Sequence, residues 1–272
     1  MTRAAPRLLL SLVKESVIDA VRRRIVLVIV LVCLLSLVAI DGCTACASVP
    51  LSVNGAPVAM PTAAGVNGIV IFVILALWSI VLAGVLASDH LVHPISDGSA
   101  TLILARPISR SAYAIARLTG ALVIALVTGA VLLAATAVLL HLRVGLALAP
   151  AVWGFGAFAA GGLIVSSLAA TVSLVLPQSA TVLLVLMTVG FTASVNLLIQ
   201  LGVSLGGVAL VVHSYGPPLA TSILVALLPW LDPDLSAGFG GDAVDLGLRL
   251  ALWAAGGVGL LLFSFRRMEL GR

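Results

Sequence analysis

Stretches of roughly 20 apolar residues recur along this chain, the length a helix needs to cross the hydrocarbon core of a bilayer. The runs "IVLVIVLVCLLSLVAI" at 25–40 and "GIVIFVILALWSIVLAGVLA" at 68–87 are the plainest. With 62% of residues hydrophobic, 9% charged and a mean hydropathy of +1.29, too little polar surface remains to cover a soluble domain. The expected fold is all-α, a polytopic membrane protein forming one transmembrane domain over residues 1–272. Six transmembrane helices are predicted, at about 24–41, 66–88, 112–140, 151–176, 179–201 and 246–265.

Charge sets the orientation. The formal net charge of +4 and a pI near 9.5 would suit nucleic acid, but the cations flank apolar spans and read as topology signals. No nucleic-acid partner is expected. Arg3, Arg7, Lys14, Arg22, Arg23 and Arg24 precede the first span. Arg106, Arg110 and Arg117 lie between the second and third, and Arg266, Arg267 and Arg272 follow the last. Arg143 and Arg249 alone fall on the other side. The excess of cations on cytoplasmic loops then places both termini in the cytoplasm of a multi-pass protein of the cell (inner) membrane.

Before the first span, residues 7–23 are amphipathic. Leu10, Val13, Val17 and Val21 share one helical face, while Lys14, Glu15, Asp19, Arg22 and Arg23 lie elsewhere. This pattern predicts a surface helix in contact with membrane lipid, the simpler alternative being a plain extension of the span. The basic segment followed by an apolar run, with "ACA" at 45–47, imitates a secretion signal. Its length and patterning favour a retained anchor. Cys43 and Cys46 form a C-x-x-C without a second pair or a nearby histidine, which disfavours zinc. A local disulfide and two unrelated small residues at a helix end both remain open.

Residues 203–230, "VSLGGVALVVHSYGPPLATSILVALLPW", hold two apolar runs split by His213 and "GPP". Each run is too short to span, and Pro217–Pro218 interrupts a helix through the middle. A seventh crossing would also carry the basic tail to the wrong side. The expectation is a re-entrant helical hairpin dipping in from the outer face, covered by protein or lining a wet cavity. The acidic stretch 232–245 then forms an exposed outer loop.

Familiar catalytic signatures are absent. There is no G-x-x-x-x-G-K-[ST], and Lys14 is the sole lysine, so ATP is not bound here through a P-loop. G-x-S-x-G and H-E-x-x-H are likewise missing, and no catalytic residue is assigned. His90 and His93, beside Asp89 and Asp97, could hold a metal or a proton, but solvated interfacial histidines explain them better, and no metal site is assigned. His141 and His213 fall on the outer side, which weakens a haem or redox role. In the fifth span Thr188, Thr192, Asn196 and Gln200 are spaced four apart on a slowly winding face. They mark either a substrate path or helix–helix hydrogen bonding. Gly154, Gly156, Gly161 and Gly162 suggest close packing of the fourth span.

The stretch "SDGSATLILARPISR" at 96–110 gathers charge, a proline and a short apolar patch between two spans. Pro94 is expected to end the second span, Ser96 or Asp97 to cap a short helix over about 96–105, and Ser109 or Ser111 to cap the third span. Such a helix must sink into lipid or dock into a groove on another protein.

This layout resembles the membrane subunit of an ABC transporter of the type-2 exporter permease family. "KESVIDAVRRR" (14–24) is similar to the family's N-terminal surface helix. "GSATLILARPISRSAYAIARLTG" (98–120) resembles its "G-T-L", leucine-rich stretch and "P-[IVL]-[SG]-R" signature. "LLPWLDP" (227–233) and "FRRMEL" resemble its late outer segment and its tail. Asp97 stands alone where family members often carry several glutamates, and Arg117 replaces a common lysine.

The resemblance implies two permease copies, as a homodimer or a related heterodimer, above two separate ABC ATPase subunits. ATP and Mg would be bound by those ATPases, with no cofactor on this chain. The helix at 96–105 would be a coupling helix, with Leu102 and Leu104 as its knobs and Asp97, Arg106 and Arg110 at the rim of the ATPase groove. Pro177 and Gln178, in "LPQS", would make a smaller second contact. ATP-driven closure would open a path for export of an amphiphilic or hydrophobic cargo. The competing reading is a membrane scaffold or sensor whose loop docks a regulatory partner. An intramembrane enzyme or redox carrier using the histidines ranks below both.

Overall fold

A computed structural model describes residues 13–14, 18, 31, 38, 52–53, 56–57, 60–98, 109–200, 206–231 and 240–267. A two-residue antiparallel ladder pairs β1 (Ser52–Val53) with β2 (Ala56–Pro57). It flanks Asn54–Gly55, a dipeptide favoured in two-residue hairpin loops. All else described is helix or turn: α1 (Met60–Ser96), α2 (Arg110–Val144), α3 (Ala149–Ser173), α4 (Gln178–Gln200), α5 (Val208–Tyr215), α6 (Leu219–Leu227) and α7 (Gly240–Arg267). A single 3-10 turn, Leu228–Trp230, extends α6.

Among the described residues, α1, α2, α3, α4 and α7 are long and apolar enough to cross a membrane, and α5 with α6 forms a bent pair. The chain is thus an all-helical protein compatible with multiple membrane crossings. Most of the predicted first span (24–41), of the surface helix (7–23) and of the 96–105 helix, and all three cysteines, lie outside the described residues.

The helices outrun the predicted spans because hydropathy registers only the part immersed in hydrocarbon. At 37 residues, α1 is about 55 Å long, well beyond a core of about 30 Å. Pro94 does not end α1 but lies inside it. A proline near a helix C-terminus deletes one hydrogen bond and leaves the following residues free to continue. The stop comes at Gly98, whose φ of 71° is left-handed, with its N–H donated to Ile95 O at 3.2 Å. Ser96 is therefore the last residue of α1, and the Asp97 carboxylate turns back to His93 Nε2 at 3.0 Å. Ser109 caps α2 as predicted, its hydroxyl accepting from Ala112 N at 3.2 Å.

Helix α3 is the centre of the bundle and packs against α1, α2, α4, α6 and α7. Its buried face is built from small residues, among them Gly154, Gly161, Gly162, Ala169 and Ala170. A Cβ on Gly161 would meet Ile80 at 2.8 Å and Leu219 at 3.2 Å, and one on Gly154 would meet Phe72 at 3.1 Å and Leu227 at 3.3 Å. Gly162 is buried beside Ala83, whereas Gly156 faces open space, so the expected packing role does not extend to it. Hydroxyls on this helix bond to their own backbone: Ser167 Oγ donates to Ile164 O (2.9 Å) and Thr171 Oγ1 to Ser167 O (2.8 Å). Small side chains let the backbones approach, which is how helices associate where lipid removes the hydrophobic drive between them.

The helix ends sort into two sets. The C-terminus of α1, the N-terminus of α2 and the C-terminus of α7 meet in one apolar cluster around Leu91, Tyr113 and Phe265. Tyr113 stacks on Phe265 with ring centroids 6.0 Å apart. The α3–α4 turn joins them through Gln178, whose Nε2 donates to Asp89 Oδ1 at 2.9 Å. Arg110, Arg117, Arg266 and Arg267 all belong to this end, and Arg143 and Arg249 to the other. At the opposite end Trp230 Nε1 donates to Ala147 O at 2.7 Å, in the α2–α3 turn. Trp230 also packs edge-on to Phe72, and its carbonyl lies against Gly65.

Because the atom facing Gly65 is backbone, it cannot swing aside. Gly65→Ala should cost about 1–3 kcal/mol in unfolding experiments. Gly156→Ala should be neutral or gain up to about 1 kcal/mol, and equal effects at the two positions would contradict this packing.

Candidate functional site

The arginine-rich end gathers the residues expected to touch an ATPase. Asp97, Arg110, Pro177 and Gln178 are exposed there. Leu102, Leu104 and Arg106 lie outside the described residues, so the knobs themselves have no described geometry. Pro177 and Gln178 start α4, with Pro177 O accepting from Thr181 N at 3.0 Å. The Gln178–Asp89 bond fixes this turn to the end of α1 that carries Asp97.

The opposite end holds the bent pair. Helix α5 ends at Gly216, and α6 begins after Pro217–Pro218 with its axis turned by 61°. This is an elbow rather than the hairpin expected from the sequence. In a continued helix, His213 O would accept from the N–H of residue 217 and Ser214 O from that of residue 218. Both residues are proline and have no N–H. Arg249 supplies donors instead: its Nη2 donates to His213 O at 2.8 Å and to Gly216 O at 3.1 Å. Trp253 Nε1 donates to Tyr215 O at 3.0 Å. The sequence reading treated Arg249 only as an outer-side charge. The signal for its role was an arginine set apart from the terminal pair Arg266–Arg267 of its helix, together with a Pro-Pro break elsewhere.

On the other flank, the His213 ring bonds through Nδ1 to Asn196 Oδ1 at 2.8 Å, joining α5 to α4. The four-residue row on α4 is therefore divided. Thr188 is exposed, while Thr192 is buried and donates to Thr188 O at 2.7 Å. Asn196 is buried and bonds across helices, and the Gln200 side chain lies outside the described residues. A groove of about 720 Å³ (its open side included) runs between α1, α4 and α6. Val70, Ile74 and Leu224 line it, with Ser194, Asn196 and Thr221 as its polar groups. The walls it exposes are almost wholly apolar, which suits an apolar group better than an ion.

Among the described residues no three His, Cys, Asp or Glu side chains converge as metal ligands. His141 Nδ1 bonds Leu146 O at 2.8 Å, within the α2–α3 turn. No protein-family model matches the sequence, and no curated protein is detectably similar to it.

Hydrogen bonds from a charged donor contribute about 1.5–3 kcal/mol. Arg249→Gln should therefore lower the unfolding free energy by about 2 kcal/mol and raise deuterium exchange at residues 208–222 more than in α3. Unchanged exchange at the elbow would remove Arg249 as its support.

Proposed function

We propose that this chain is the permease subunit of an ABC exporter, forming half of a membrane path whose ATPase is a separate subunit. The observation that carries the reading is the position of the 98–120 block. The α1–α2 connection falls at the arginine-rich end, flanked by exposed Asp97 and Arg110 and by the Gln178 turn tied to Asp89. An apolar helix that begins after Gly98, later than the 96–105 expected from the sequence, acts as the coupling helix, with Leu102 and Leu104 seated in an ATPase groove and Arg106 and Arg110 pairing acidic groups at its rim.

The arginine-rich end faces the cytoplasm of the cell (inner) membrane. With 24–41 as a further crossing and 7–23 as a surface helix, the chain has six spans and both termini inside. Helix α4 ends, and α7 starts, at the outer end, so 201–239 leaves and returns on one side; this supports a re-entrant elbow over a seventh span. Leu219 packs near mid-α3 at Gly161, and Trp230 reaches the outer α2–α3 turn. Two copies of the chain, or one with a related chain, enclose the path. ATP and Mg act on two partner ATPases, and their closure rocks the permease halves apart. The lateral groove favours an amphiphilic or hydrophobic cargo. Asn196, through its bond to His213, belongs to the α4–α5 contact, which moves with the halves.

Affinity purification of the tagged protein from native membranes tests this reading. A near-stoichiometric ABC ATPase should accompany the wild type and be lost in Leu104→Glu, with the permease still folded. Recovery without any ATPase, under conditions that keep other membrane complexes intact, would favour the scaffold reading. Cysteines introduced by Gly206→Cys and Leu231→Cys should label from the same outer side; labelling from opposite sides would make the elbow a crossing.

A further inference from the structure

Among the described residues α7 is the least buried of the five membrane-length helices, with 22% of its apolar window covered. Its C-terminal end carries two exposed cations, Arg266 and Arg267. Arg117 at the same end differs from them. It is 8% exposed, its Nε has no hydrogen-bond partner, and its guanidinium lies over the buried ring of Tyr113. Arg267 instead reaches the surface, with its guanidinium 4.3 Å from the centroid of the Phe263 ring one turn earlier. That ring is itself exposed.

Toward the opposite end the same face continues through Leu260, Gly259, Gly256 and Leu252, all exposed. With Phe263 and Arg267 these residues fall within about 100° around the axis of an α-helix. A Cβ on Gly256 or Gly259 would meet nothing within 4 Å, so the two glycines leave a notch between Leu252 and Phe263. Arg249, the next residue on this face, bonds the elbow, and the open face ends at Leu252.

From Leu252 to Arg267 the face runs about 22 Å. One leaflet has a similar depth, about 15 Å of hydrocarbon and about 6 Å of headgroup. A second copy related by a two-fold axis would set this face against itself and Arg267 against its own counterpart, a like-charge contact that opposes association. A soluble partner does not reach a notch at hydrocarbon depth. An amphiphile with an anionic head meets both ends of the face, its charge on the arginines and its methylenes in the notch.

We propose that this face of α7 binds one anionic phospholipid of the leaflet at the arginine-rich end, with the phosphate on Arg267 and an acyl chain in the notch at Gly256 and Gly259. The planar guanidinium offers parallel N–H donors to two phosphate oxygens. Phe263, on which it rests, lies at the boundary between headgroup and chain. The site is independent of the transport reading.

The test is native mass spectrometry of the full chain released from nanodiscs of phosphatidylglycerol and phosphatidylcholine. Wild type should retain phosphatidylglycerol in preference to phosphatidylcholine, and Arg267→Gln should lower that preference about fivefold. Arg110→Gln removes one charge from the same end but from α2, and should leave the preference unchanged. Gly256→Leu fills the notch without meeting another side chain, and should lower the amount of lipid retained. Equal losses in Arg267→Gln and Arg110→Gln would reduce the effect to the general field of this end and overturn the site. Wild-type retention in both α7 variants would overturn it too. A Gly256→Leu chain that loses dimer rather than lipid would assign the face to a second copy instead.

Discussion

Every carbonyl and amide placed in hydrocarbon must find a partner within the protein, and the architecture follows from how that requirement is met. Along five long helices it is met internally. It fails locally where Pro217 and Pro218 leave His213 and Ser214 without their helical donors. Arg249 Nη2 and Trp253 Nε1, both from α7, bond the carbonyls of His213, Tyr215 and Gly216. The N-terminal part of α7 is thereby locked to the elbow, and the Arg249 charge meets two carbonyl acceptors.

Packing around α3 depends on a second constraint. Since lipid is as apolar as leucine, helices gain little by hiding apolar faces and associate through close approach instead. Gly154 and Gly161 admit Phe72, Leu227, Ile80 and Leu219, which places α6 against α3 and α1. The same principle explains the exposed stripe Val66, Val70, Ile74 and Trp78 on α1. In water it would be a liability, whereas it suits a helix long and apolar enough to cross a membrane.

The two ends differ in chemistry. The arginine-rich end carries short polar ties, Gln178 to Asp89 and His93 to Asp97, on a surface open to partners, with the enclosed pair Arg117 and Tyr113 beneath. The opposite end spends its polar groups on itself: Asn196 with His213, His141 with Leu146 O, Trp230 with Ala147 O. The end opposite the arginines thus holds a broken helix in place.

Much of the fold was legible in the sequence. Span length, the Pro-Pro interruption, the Ser109 cap and the sidedness of the arginines are local properties, and each was readable because hydropathy, proline geometry and charge act on the residues that carry them. Helix ends were less so, since hydropathy registers hydrocarbon and not headgroups; α1 runs through Pro94 to a stop made by Gly98. The division of the row Thr188, Thr192, Asn196 was not legible, because a span apolar on all sides gives no signal of which face meets protein. Nor was the role of Arg249 or the isolation of Arg117, which depend on groups brought near from distant parts of the chain. The sequence alone determined that this chain forms membrane-length helices and where their charges lie, because burial in lipid is decided residue by residue. Only the tertiary structure decided which buried polar groups find partners, because that depends on three-dimensional proximity between helices that share no sequence signal.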